Sequence, residues 1–170
     1  MDDGTGRSTA DEVKRVWGDR LRPVPPDLVS TRLSAATRGF LTTVGLPAGR
    51  TRDIVFAHDE RLHTPIRQGG REYVVIGDSD EPGCRFGVEV DTDRVYYLDD
   101  LPQYNRLINS DVALFVLFVG LFQKVVVELP EGGSLDDAIA RVWGELKARD
   151  PEATNDGDLW GVLLDDIAAE

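Results

Sequence analysis

The residues best suited to chemistry in this 170-residue chain gather around Gly77-Asp78-Ser79-Asp80, directly after the apolar run Tyr73-Val74-Val75-Ile76. A serine just beyond a strand can act as a nucleophile if a general base reaches its hydroxyl. The only two histidines, His58 and His63, both precede it, and a spacing of five aligns them on neither a helix face nor a strand face. They read as surface loop residues, which leaves hydrolysis through Ser79 a remote alternative. The same stretch approaches a calcium-loop spacing through Asp78, Asp80, Gly83 and Glu89, but Pro82 takes a ligand position and strands stand where helices are required. A β-turn rich in acids is the better reading, with no metal and no cofactor. Cys84, the only cysteine, lies beside Phe86 in a strand pattern, as a small core residue does. A zinc deaminase needs a cysteine pair, so one cysteine excludes that chemistry.

The elements that must position these residues follow from hydrophobic periodicity. Ser8 or Thr9 can cap a first helix with Val13, Val16, Trp17 and Leu21 on one face, ended by Pro23, Pro25 and Pro26. A second helix is expected from about Ser30, through Leu33, Ala36, Phe40, Leu41 and Val44, to a stop at Gly45 and Pro47. Strand patterns then cover residues 53–57, 72–77, 84–90 and 94–98. In the third, Cys84, Phe86, Val88 and Val90 share one face while Arg85 and Glu89 take the other, and Asp91-Thr92-Asp93 suits a tight hairpin turn. Asn109, Ser110 and Asp111 signal the start of a helix over residues 112–122, which is apolar on every side and so central and buried. Ser134 opens another helix with Leu135, Ile139, Val142, Trp143 and Leu146 on one stripe, and residues 159–167 read as a last short one.

Helices, then strands, then helices indicate an α+β domain and not alternating βαβ units. Residues 1–27 would form an N-terminal helix and proline-rich connection sharing one core with the domain over 28–170. A chain of this length buries enough surface to fold without disulfides or metals. With one cysteine, no signal-like start and no apolar run of membrane-spanning length, the expected location is the cytoplasm.

Charge is unevenly distributed along the chain, whose formal net charge is −12. Residues 1–70 hold 9 acids against 11 bases, 71–127 hold 10 against 5, and 128–170 hold 12 against 3. Such a field repels nucleic acid phosphates and attracts basic proteins. Arg32, Arg38, Arg50, Arg52, Arg61 and Arg67 make the first half mildly basic, but acids are interspersed among them, so nucleic-acid binding is not expected.

Three segments together resemble the SUKH superfamily, in the bacterial branch numbered fourth. They are Thr37-Arg38-Gly39-Phe40-Leu41-Thr42-Thr43-Val44-Gly45-Leu46-Pro47; the strand series Tyr73 to Gly77, Arg85 to Val90 and Arg94 to Leu98, followed by Leu107-Ile108-Asn109-Ser110 opening the apolar helix; and Trp143, Leu146, Asp150-Pro151, Leu159-Trp160 and Leu163-Leu164. The resemblance covers residues 28–167 and rests on their order. It implies helices packed around a curved, mainly antiparallel sheet, and an immunity protein that binds and neutralises a cognate polymorphic toxin, often a nuclease or deaminase. It implies no catalytic residue and carries over no binding position. Candidate partner-binding residues therefore come from charge at strand ends and turns: Asp78, Asp80, Glu81, Asp91, Asp93, Asp99 and Asp100. Tyr96 and Tyr104 are candidate aromatic anchors. A scaffold or regulatory module of the same fold, with no toxin partner, is the alternative from another class; the oligomeric state is not legible.

Overall fold

Each helix begins where a side chain satisfies amides that the first turn leaves open. In the computed structural model, which describes residues 8–51, 53–155 and 160–161, Ser8 accepts from the Asp11 amide and starts α1 (Thr9–Trp17). Ser34 starts α2 (Ala35–Thr43), Asp111 starts α3 (Val112–Phe122) and Ser134 starts α4 (Leu135–Arg149) in the same way. The second helix thus begins later than Ser30, which is buried and donates its amide to the Leu62 carbonyl.

Strands β1 (Leu21–Arg22) and β2 (Leu46–Pro47) form a small antiparallel pair. The main sheet contains β3 (Ile54–Phe56), β4 (Ile66–Gln68), β5 (Arg71–Ser79), β6 (Arg85–Glu89), β7 (Val95–Leu98) and β8 (Arg106–Asn109), paired antiparallel in the order β3-β5-β6-β7-β8. Strand β4 pairs with the start of β5 and β3 with its end, so the two lie end to end along one edge. This is an α+β domain with a mainly antiparallel sheet, as expected from the sequence. One segment differs: Leu107, Ile108 and Asn109 extend β8 and do not open the apolar helix, because Asp111 supplies the cap two residues later.

Helix α3 lies across the inner sheet face, and Phe115 and Phe118 pack there with Val74, Ile76, Phe86, Val88, Val95 and Ile108. Its lack of a polar face is what a helix covered on all sides needs. It widens at its end into a single π-turn (Gln123–Val127), the place of the β-branched Val125-Val126-Val127. Of the expected helix over 159–167, Trp160 and Gly161 are helical and the remainder lies outside the described residues. Among the described residues no helix is long and apolar enough to cross a membrane.

Helix α1 crosses α3 at Gly120, where Trp17 Nε1 donates to the Val116 carbonyl at 2.9 Å. A Cβ on Gly120 would stand 2.5 Å from Val16 and 2.7 Å from the Trp17 indole. The gain in helix propensity from alanine is smaller than the cost of that overlap. Gly120→Ala is therefore expected to lower stability by about 1–3 kcal/mol, read as an earlier urea midpoint at unchanged slope; an unmoved midpoint would mean that α1 yields freely.

Candidate partner-binding site

The end of β5 is aimed by a bulge. Val75 pairs with Gly87 and Gly77 with Phe86, so Ile76 is an extra residue and the side-chain alternation shifts by one. Asp78 consequently lies beside the exposed Val55 on the outer face, while Ser79 lies beside the buried Ile54 on the inner face. The β5–β6 turn closes through Ser79 N to Cys84 O and Cys84 N to Glu81 O, both at 3.1 Å. Gly83 has φ +85°, and a Cβ there would stand 2.3 Å from an Asp100 carboxylate oxygen. The loop over residues 99–105 is thereby packed against the β5–β6 turn.

Five of the seven candidate acids, Asp78, Asp80, Glu81, Asp99 and Asp100, stand at this end of the sheet. Asp91 and Asp93 occupy the β6–β7 turn at the other end, separated by the five residues of β6, about 13 Å. The structure thus divides a set that the sequence presents as one group. Asp93, with φ 59°, accepts from the Ser34 amide at 3.3 Å and the Thr37 hydroxyl at 2.8 Å, so it anchors the start of α2. Asp78 is bonded to Arg61, whose guanidinium also holds Asp59 at 2.8 Å. The Asp59 bond, with further support from Asp78, raises the proton affinity of Arg61, so the Asp78 charge is offset within the chain. The Asp99 carboxylate accepts from the Leu101 amide at 2.9 Å. Asp80, Glu81 and Asp100 remain exposed.

Beyond Asp100 the short turn Pro102–Tyr104 folds over the outer sheet face, fixed by Asn105, which accepts from the Asp99 amide at 3.0 Å and from Gln68 at 3.2 Å. It leaves Leu101 and Tyr104 each 53% exposed, more than any other large apolar residue described. Tyr96 is only half-buried but is engaged edge-on with Tyr73 at 5.7 Å. Of the two candidate aromatics, Tyr104 is the one presented outward.

On the inner side of the same end a pocket of about 70 Å³ opens between the β5–β6 turn and α3. Its walls are Phe86, Tyr97, Phe115, Phe122 and Trp160, and Asp53, Asp80 and Glu81 stand among its polar lining. Tyr97 donates its hydroxyl to Glu81 at 2.5 Å. Burial first, then its bonds to Cys84 and Glu81, push the Tyr97 phenol well above its usual value, so it stays protonated as that donor.

A family model described as SUKH-4 immunity protein matches residues 8–166. The chain belongs to the SUKH-4 immunity protein family. No curated protein and no solved structure matches it.

In this SUKH-4 protein Ser79 has other partners than an imidazole. Its hydroxyl donates to Asp80 at 3.3 Å and accepts from the Glu81 amide at 3.2 Å. His58 Nε2 lies 3.0 Å from the Pro47 carbonyl, and His63 is exposed. The calcium-like spacing is also dispersed: Glu89, expected on an outward face, is buried at the far end of β6, bonded to Arg71 at 3.0 Å and to Thr92. Among the described residues no group of three or more His, Cys, Asp or Glu side chains is placed to hold a metal. Sequence reasoning missed Leu101 and the pocket. Phe86, Phe115 and Phe122 carry the same periodic signal whether they fill a core or line an opening, so no local pattern marks the cavity.

Proposed function

We propose that this SUKH-4 immunity protein neutralises a basic toxin by docking it on the sheet end formed by the β5–β6 turn and the 99–105 loop. The observation that carries this reading is the joining of exposed Asp80, Glu81 and Asp100 to exposed Leu101 and Tyr104. Charges at a rim steer the encounter, whereas apolar groups that become buried hold the complex. A nuclease presents cations to hold phosphates, so such an enzyme is the toxin class this surface suits, with the carboxylates occupying the phosphate positions. The protein acts as a stoichiometric inhibitor in the cytoplasm, with no catalytic step of its own.

Co-expression with the toxin should restore growth and yield a complex that copurifies. In stopped-flow mixing, the association rate should fall by at least about tenfold between roughly 50 and 500 mM salt, with little change in dissociation. An association rate indifferent to salt would overturn the steering role of these acids.

A further inference from the structure

We propose that the pocket between the β5–β6 turn and α3 receives one aliphatic side chain of leucine or methionine size, carried on a toxin segment with basic neighbours. This deepens the docking reading above and rests on it. The interior is aromatic, with Phe86 5.4 Å from Phe115 and Phe122 6.0 Å from Trp160 between ring centroids. The polar groups, Thr51, Ser79 and the turn carboxylates among them, are outweighed by this apolar lining, so an apolar tip is the occupant that loses least on entering. Size narrows the choice further. The space is roughly half that of a cavity that admits benzene, about 150 Å³, so it suits the end of one compact aliphatic side chain.

The rim sets the neighbours. Asp80 and Glu81 come from the same turn whose outer side faces the 99–105 loop. A lysine or arginine beside the inserted residue meets these carboxylates without entering the apolar interior, whereas an acidic neighbour is repelled. Trp160 links the pocket to the fold: its indole Nε1 donates to Asn109 Oδ1 at 3.1 Å, so that wall is held in place before any ligand arrives.

The test uses three capped peptides, Ac-Lys-Leu-Lys-NH2, Ac-Lys-Ala-Lys-NH2 and Ac-Glu-Leu-Glu-NH2, titrated into the isotopically labelled full chain and followed by NMR. The Lys-Leu-Lys peptide should shift the amides of residues 79–83 and the Trp160 indole proton. The alanine and glutamate peptides should each bind on the order of tenfold more weakly, from lost burial and lost charge pairing respectively. Val119→Phe, which fills the pocket from α3, should abolish the leucine preference. Glu81→Gln leaves the core intact and should weaken the lysine peptide while sparing the leucine-over-alanine ratio. Equal binding of the leucine and alanine peptides, or shifts confined to other surfaces, would overturn the proposal. Because these peptides need no toxin, their failure beside intact salt-dependent toxin binding removes the pocket alone; loss of toxin binding itself removes the docking reading.

Discussion

Replacing Asp80 and Asp100 together by lysine should lower toxin affinity on the order of a hundredfold, mostly through slower association. Each reversal converts one attractive rim contact into a repulsive one, worth about tenfold. Both side chains are exposed and only Asp100 packs on a neighbouring loop, at Gly83, so the melting temperature should fall only modestly. Asp91→Lys supplies the control. It changes net charge equally per site but stands at the opposite end of β6, so toxin binding should stay within about twofold. Equal losses from the two ends would show that total charge governs the encounter and that the docking surface is elsewhere.

The second large effect concerns stability. Asp150 is 1% exposed, and its Oδ2 accepts from Asn109 Nδ2 and from the Ser110 amide, both at 2.9 Å. Asn109 in turn accepts from Trp160, so one carboxylate ties together the end of α4, the end of β8 and the pocket wall. Asp150→Ala strands the buried Asn109 amide and the part-buried Ser110 N–H and should cost about 3 kcal/mol, lowering the melting temperature by about 6–12 °C. Asp150→Asn keeps an acceptor for both. Among the described residues Asp150 Oδ1 has no hydrogen-bond partner, so the amide gives up no bond at that oxygen and removes a buried charge. The asparagine variant should therefore stay within about 1 kcal/mol of the parent. Matching losses from alanine and asparagine in a calorimetric scan would assign the effect to the negative charge itself.

What could be read in the sequence was local. Ser8, Asp111 and Ser134 announce helix starts because a cap needs only its own next turn. The strands around Phe86 and Val95 declare themselves by alternation. Strands β1, β2 and β4 are not legible, because two or three residues cannot display a period, and β8 runs directly into the cap signal of the helix that follows it. The site was half legible. Acidic residues mark turns, but which turns meet depends on the register between β6 and β7, which no short stretch contains. The bulge at Ile76 decides whether Ser79 or Asp78 faces inward, and its signal is a single unpaired residue within an apolar run.

The contact between Gly83 and Asp100 bears on how tightly such a surface can hold anything. A bare backbone at position 83 lets the two loops nest, so neither has to find its shape when a partner arrives. Ordering a loose loop on association subtracts from affinity residue by residue. With that entropy already lost during folding, a small patch can bind more tightly than its area suggests. A larger residue at 83 would displace the Asp100 side chain and strain a backbone held at φ +85°, returning part of that penalty and loosening the grip while every carboxylate stayed in the chain.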